Sequence, residues 1–453
     1  MLRSVFSSFK IAFATLLCFL RAIAAAQETP AYEQAPFNYS KATPNDGIRA
    51  VLKRIASGAI KLGGDDRKDI QTFLHELKIP QETQLLVFSK TSFQRHRINP
   101  DHPRALYFND RFYLGWVPSG LIELIAIDPV LGPMFYSFDP EVAQTNAAAS
   151  LVRDNDCLRC HGGNFVDGIP GVFARSLFAD QDGEPILRFG SEVVDFRTPF
   201  TNRWGGWYVT GTSGRTLHRG NVFSSTQGDK LVVDFTRGVN ITNLSDFFNV
   251  KRYLEESSDI VALLVFEQQL TVQNALTRAS IDSRRMLEYQ KGLQMAFKTP
   301  VTREPAYDSV KSVFDTAARD LVNALLFKGE ASLPLDLKGS AAFQKAFVGE
   351  APKSRDGESL KDFDLHGHLF KNRCSYLIYS DSFRALPEAL KHRVYLRLAR
   401  ALAMDKPDPD YAYLGAEERS RILSILRDTN PALSTALDAA ASEIKEKGSP
   451  EGS

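Results

Sequence analysis

Cysteine is scarce in this chain, with four in 453 residues, beside five methionines, three tryptophans and eight histidines. So few cysteines exclude a disulfide scaffold, since Cys18 falls in an N-terminal apolar run and only three remain beyond it. An excess of either charge is also missing: 55 Lys and Arg face 54 Asp and Glu, for a net charge of +1. That balance argues against a dedicated nucleic-acid surface and against a strongly basic membrane-binding one. Beyond residue 20 no apolar run approaches the roughly 18 residues of a spanning helix, so no membrane span is expected in the mature chain. No internal repeat or low-complexity tract stands out.

Two of the three remaining cysteines fall together, in Cys157-Leu158-Arg159-Cys160-His161, followed by Gly162 and Gly163. Two thiols separated by two residues can add across the vinyl groups of a haem, and the adjacent imidazole then reaches the iron from one face. A thioredoxin-like pair would sit between a strand and a helix; here Asn146 to Leu151 is helix-like and a Gly-rich loop follows. A structural zinc site would want a second close pair of ligands, and the next cysteine is Cys374. Only haem attachment uses all three ligating residues. Cys374, among apolar and aromatic neighbours, reads as a small core residue.

At Cys157, Cys160 and His161 the chain resembles the c-type cytochromes. Its blocks Arg203-Trp204-Gly205-Gly206-Trp207-Tyr208-Val209-Thr210-Gly211 and Phe370 to Phe383 are similar to those of a family of large, exported, single-haem bacterial proteins whose activity is not established. The resemblance implies one covalent haem c on Cys157 and Cys160, with His161 as proximal iron ligand.

Covalent haem attachment takes place outside the cytoplasm, and the N-terminus agrees. Arg3 and Lys10 precede an apolar run of about ten residues, Ile11 to Leu20, and Ala24-Ala25-Ala26 offers a small-x-small cleavage site. Residues 1–26 read as a secretory signal peptide, which predicts a soluble protein of the periplasm or another exported location. The roughly 430 residues left far exceed the hundred or so that one small carrier domain needs.

The expected fold class is α+β. After a tail, Ile48, Val51, Leu52 and Ile55, then Ile70, Phe73, Leu74 and Leu77, predict two amphipathic helices in a hairpin within residues 27–80. Residues 81–250 read as a mainly antiparallel β unit carrying the haem segment. Its strands are Leu85–Phe88, Ala105–Phe108, Phe112–Val117, Leu121–Ile127, Met134–Phe138, Val172–Phe178, Ile186–Phe189 and Trp207–Thr210, with the haem at a sheet edge. Residues 251–328 predict a helical unit: a buried helix from Ile260 to about Tyr289, then one from Tyr307 to Phe327. Residues 329–362 read as a linker or long loop, and 363–453 as a C-terminal helical unit.

Whether a side chain fills the second axial position separates carrier from enzyme. His218 is the first candidate as distal ligand, because a β-hairpin past Trp207-Tyr208 can return it to the haem; Met286 and Met295 follow. His75, His96, His102, His366 and His368 read as surface or packing residues. Arg175 and Arg203 suit haem propionates, Trp204, Trp207 and Tyr208 suit the ring edge, and Gly162-Gly163 suits close approach of backbone to the macrocycle. The preferred function is extracytoplasmic electron transfer with a redox partner protein. The alternative is a haem-c peroxidase, oxidase or dehydrogenase with an open distal site.

Overall fold

The computed structural model describes residues 29–448, so the expected signal peptide lies outside the described residues. The chain is α+β, with a large antiparallel sheet followed by helices. Helices α1 (Ile48–Ala56) and α2 (Asp66–Leu77) form the expected N-terminal pair, α2 capped by the Asp65 carboxylate accepting from the Lys68 N–H. The segment before them, read as a tail, is packed down. Tyr32, Phe37 and Tyr39 are buried, and the Arg153 guanidinium donates to the carbonyls of Tyr39 and Ala42.

Strands β1 (Leu85–Val87), β2 (Arg104–Phe108), β3 (Phe112–Trp116), β4 (Ile122–Asp128) and β5 (Gly132–Phe138) run as a meander. Then α3 (Pro140–Thr145) leads to β6 (Leu151–Arg153), which closes one edge against β5. At the other edge β9 (Trp207–Tyr208) pairs antiparallel with β1, while β7 (Ala174–Leu177) and β8 (Ser191–Val194) form a separate ribbon. Ile186–Phe189, expected as a strand, is instead a helical turn over Leu187–Phe189. Pro185 precedes it, and Gly190, at φ 99°, follows it, leaving no length for a ladder.

Alternation along the strands splits the interior in two. Leu86, Ala105, Tyr107, Leu114, Trp116, Leu124 and Tyr136 face α1 and α2. Leu85, Val87, Phe108 and Tyr113 face the helices that follow. Chief among these is α5 (Ile260–Ala296), 37 residues long, which runs past the expected end near Tyr289; α4 is the single turn Leu158–His161. Asp259 caps α5, accepting from the Val261 and Ala262 N–H groups. Buried on nearly every side for its first turns, α5 packs on α6 (Asp308–Leu325), which in turn meets α9 (Glu388–Leu402).

Residues 329–362, read as a linker, hold helix α7 (Ala341–Gly349). The Ser340 hydroxyl accepts from the Phe343 N–H, and Phe343 and Phe347, one turn apart, are buried against the common core. The chain finishes with α8 (Asp381–Arg384), α9, α10 (Ala416–Thr429) and α11 (Pro431–Gly448), and one core cluster runs from Leu85 to Leu437. Among the described residues no helix is long and apolar enough to cross a membrane.

Candidate functional site

The pentad follows the edge strand β6 directly, not the helix-like segment expected over Asn146 to Leu151, of which only Ala147–Ala149 is a helical turn. The Asp154 carboxylate caps a helical turn over Asn155–Cys157 by accepting from the Asp156 N–H, and the single turn α4 then presents Cys160 and His161. Among the described residues Cys157, Cys160 and Cys374 are all free thiols. Burial first, and then the charges of Asp154 and Glu123, push the Cys157 thiol up to about 12. A redox-active Cys-x-x-Cys pair has the opposite character, a thiol of depressed pKa.

His161 is held by a hydrogen bond and by two aromatic rings. Its Nδ1 lies 2.8 Å from the Gly171 carbonyl oxygen. A carbonyl only accepts, so Nδ1 carries the proton and Nε2 keeps its lone pair. The ring is clamped between Phe135 and Phe173, with centroids 4.9 and 4.8 Å away. Burial draws the imidazole down to about 4, against the raising effect of the Gly171 hydrogen bond, so the ring is neutral at pH 7.

Cys157, Cys160 and His161 all line one cavity of about 190 Å³, walled by Leu106, Ile125, Phe135, Phe173, Trp207 and Phe266. Its guanidinium groups are Arg104, which faces Glu123, and Arg175, whose cation lies 4.6 Å over the Phe165 ring. The Nε of Arg104 is buried and makes no hydrogen bond. Two thiols at the attachment spacing, a neutral imidazole with a spare lone pair, apolar walls and an arginine with an unused donor fit a covalently held haem. The enclosed volume is below the roughly 300 to 1,000 Å³ of an ordinary ligand pocket, and Cys160 is itself exposed. A second, larger cleft of about 710 Å³ shares Phe165, Val172, Phe173 and Leu270 with this cavity.

Other residues singled out from the sequence lie elsewhere. His218 does not line the cavity. It is buried 5.1 Å from the Trp204 ring and 6.0 Å from that of Phe200, and its Nδ1 accepts from the Gly220 N–H. Met286 packs at the edge of the helical core and Met295 is exposed. Arg203 does not line the cavity either. It is 2% exposed and donates to Glu267 at 2.6 Å and to the carbonyls of Thr198 and Phe196, because the carboxylate on α5 is the nearest partner the fold gives it. Of the three aromatic residues proposed for the ring edge, Trp207 lines the cavity; Trp204 packs on Phe200, and Tyr208 belongs to the core on the other side of the sheet. Gly162 makes room for the protein rather than for a macrocycle: a Cβ there would stand 2.5 Å from the Tyr32 hydroxyl.

Sequence reasoning missed Phe135, Phe173, Gly171 and the α5 residues Asn274 and Arg278, which grip the loop after the pentad. A polar Asn inside a helix expected to be buried was the available signal, since a buried amide needs partners. Comparison of the chain with protein-family models, with curated proteins and with solved structures finds no match.

Proposed function

We propose that this chain is an exported c-type haem protein whose iron is held by His161 on one side and is open to small molecules on the other. A covalent haem supplies one-electron redox chemistry and, at an open iron position, binding of diatomic gases or peroxide. Cys157 and Cys160 are its tethers. Phe135, Phe173 and the Gly171 carbonyl orient the imidazole, which lines the cavity and keeps Nε2 free to bind a metal. Arg104 and Arg175 offer guanidinium groups to the propionates, and the exposed side at Cys160 offers a docking edge to a redox partner protein.

The observation that carries the open position is the composition of the cavity wall. Among the described residues lining it, His161 is the one histidine, and no methionine or lysine is present. This favours a haem-c enzyme or sensor over a simple electron carrier, which would need a second strong-field ligand. The deciding experiment is to mature the protein with a haem-attachment system, reduce it and add carbon monoxide. Prompt binding with a shifted Soret band is expected; a low-spin spectrum indifferent to the gas would return the protein to the carrier class.

A further inference from the structure

Helix α5 reaches the imidazole of His161 through one peptide unit. The carbonyl of Gly171 accepts from His161 Nδ1 at 2.8 Å. The N–H of that same peptide unit, carried by Val172, donates to the Oδ1 of Asn274 at 2.9 Å. The Nδ2 of Asn274 then donates back to the Val172 carbonyl at 2.7 Å, so both ends of the side-chain amide are committed to one residue of the loop. A second tie lies one helical turn on, where Arg278 donates to the Asp167 carbonyl at 2.9 Å. The loop is closed from the other side too, because the Gly171 N–H donates to the His161 carbonyl at 2.8 Å. Position 171 has no space for a side chain: a Cβ would lie 2.8 Å from the Cβ of Val166 and 3.0 Å from Oδ1 of Asn274.

From this arrangement we propose that Asn274 is a positioning residue for the iron-binding imidazole, and that it sets the donor strength of His161 as well as its orientation. The chain of groups is imidazole N–H, peptide C=O, peptide N–H, side-chain amide C=O. Hydrogen bonds aligned head to tail through one amide polarise each other, and the effect is larger in a poorly screened interior. An acceptor on the peptide N–H makes the peptide carbonyl a stronger acceptor. That carbonyl then draws the Nδ1 proton and leaves Nε2 more electron-rich, which stabilises the oxidised metal over the reduced one. Asn274 also lies on the wall of the 710 Å³ cleft, so one amide touches both the relay and the larger opening of the molecule.

The inference rests on His161 being the ligand of a bound haem, and the test separates the two claims. Wild type, Asn274→Ala and Asn274→Asp are matured together. Each is measured for covalent haem by intact mass, for midpoint potential by spectroelectrochemistry and for the iron–imidazole stretch by resonance Raman. Asn274→Ala removes the acceptor, so its potential should rise and its stretching frequency fall. Asn274→Asp loses the donor to the Val172 carbonyl but keeps a carboxylate oxygen able to accept from the Val172 N–H, so it should hold the potential at or below that of wild type. A purely structural role would lower the melting temperature without splitting the potentials in this order. Equal potentials in all three haem-loaded proteins, or a rise in both variants, would overturn the role of Asn274 while leaving the haem reading intact. Absence of haem from the wild type would overturn both.

Discussion

Replacing Arg203 with methionine tests the interior of the fold independently of the proposed haem. The guanidinium and the Glu267 carboxylate are each 2% exposed and meet at 2.6 Å. Nε and Nη2 of the same side chain donate to the carbonyls of Thr198 and Phe196 at 2.9 and 3.0 Å. Removing one member of such a pair leaves a buried charge and costs about 3 to 5 kcal/mol. The entropy of unfolding is roughly 2.1 cal/mol/K per residue, so over some 420 residues this loss lowers Tm by about 3 to 6 °C. The loss depends on pH. Burial lifts Glu267 from its ordinary 4.5 to about 7 in spite of Arg203. Because the folded value is the higher one, the stability it contributes is complete below about 4.5 and fades as the pH rises through about 7. Without Arg203 the carboxyl titrates still higher. At pH 5 the carboxyl is neutral with or without Arg203, and the variant loses the hydrogen bonds to Glu267 and to the two carbonyls, about 1 to 3 kcal/mol; at pH 8 the wild type holds the carboxylate ionised and paired while the variant must protonate it or bury it unpaired, so the loss is larger. Denaturant titrations of Arg203→Met at pH 5 and pH 8 give the comparison, and adding Glu267→Leu should restore most of the difference. An equal loss at both values, or under about 1 kcal/mol at pH 8, would refute the reasoning.

Three other substitutions have expected outcomes. His218→Ala should cost about 1 to 3 kcal/mol in thermal or chemical unfolding through its lost contact with Trp204, and its haem spectrum should match wild type; a change of spin state would make His218 an iron ligand after all. Gly171→Ala forces a Cβ against Val166 and Asn274, and is expected to cost about 1 to 3 kcal/mol and to broaden the iron–imidazole stretch, whereas a wild-type melting curve would show that the loop yields freely. Cys374→Ser puts a hydroxyl where a fully buried thiol stands, its pKa pushed by burial up to about 12; mass spectrometry should still find haem, with a stability loss of about 1 to 3 kcal/mol.

The parts of this molecule that were legible in its sequence are those whose physics is local. The hairpin strands around Asn109-Asp110 and the stripe Ile70, Phe73, Leu74, Leu77 carry their periods in a few adjacent residues, and both are present. The pentad is local as well, and its three residues meet in one cavity. What was misread depends on distant partners. Arg203 gave no sign that its carboxylate lay 64 residues on, in a helix whose outward pattern was only apolar. Residues 329–362 are poor in apolar anchors, yet Phe343 and Phe347 suffice because a core is already there to receive them. His218 lies at a plausible distance along the chain from the pentad, but sequence spacing does not fix direction, and the fold turns it toward Trp204. The wall of the cavity at the pentad draws on strands, loop and helix from Val87 to Leu270, which no single window of sequence displays.

Intact mass spectrometry of the exported protein, produced with a haem-maturation system beside a control cytochrome, bears most directly on the whole account. The expected result is a single covalent haem on the wild type and none on a Cys157→Ala, Cys160→Ala double variant. A wild-type mass equal to the bare polypeptide, with the control fully matured, would contradict it.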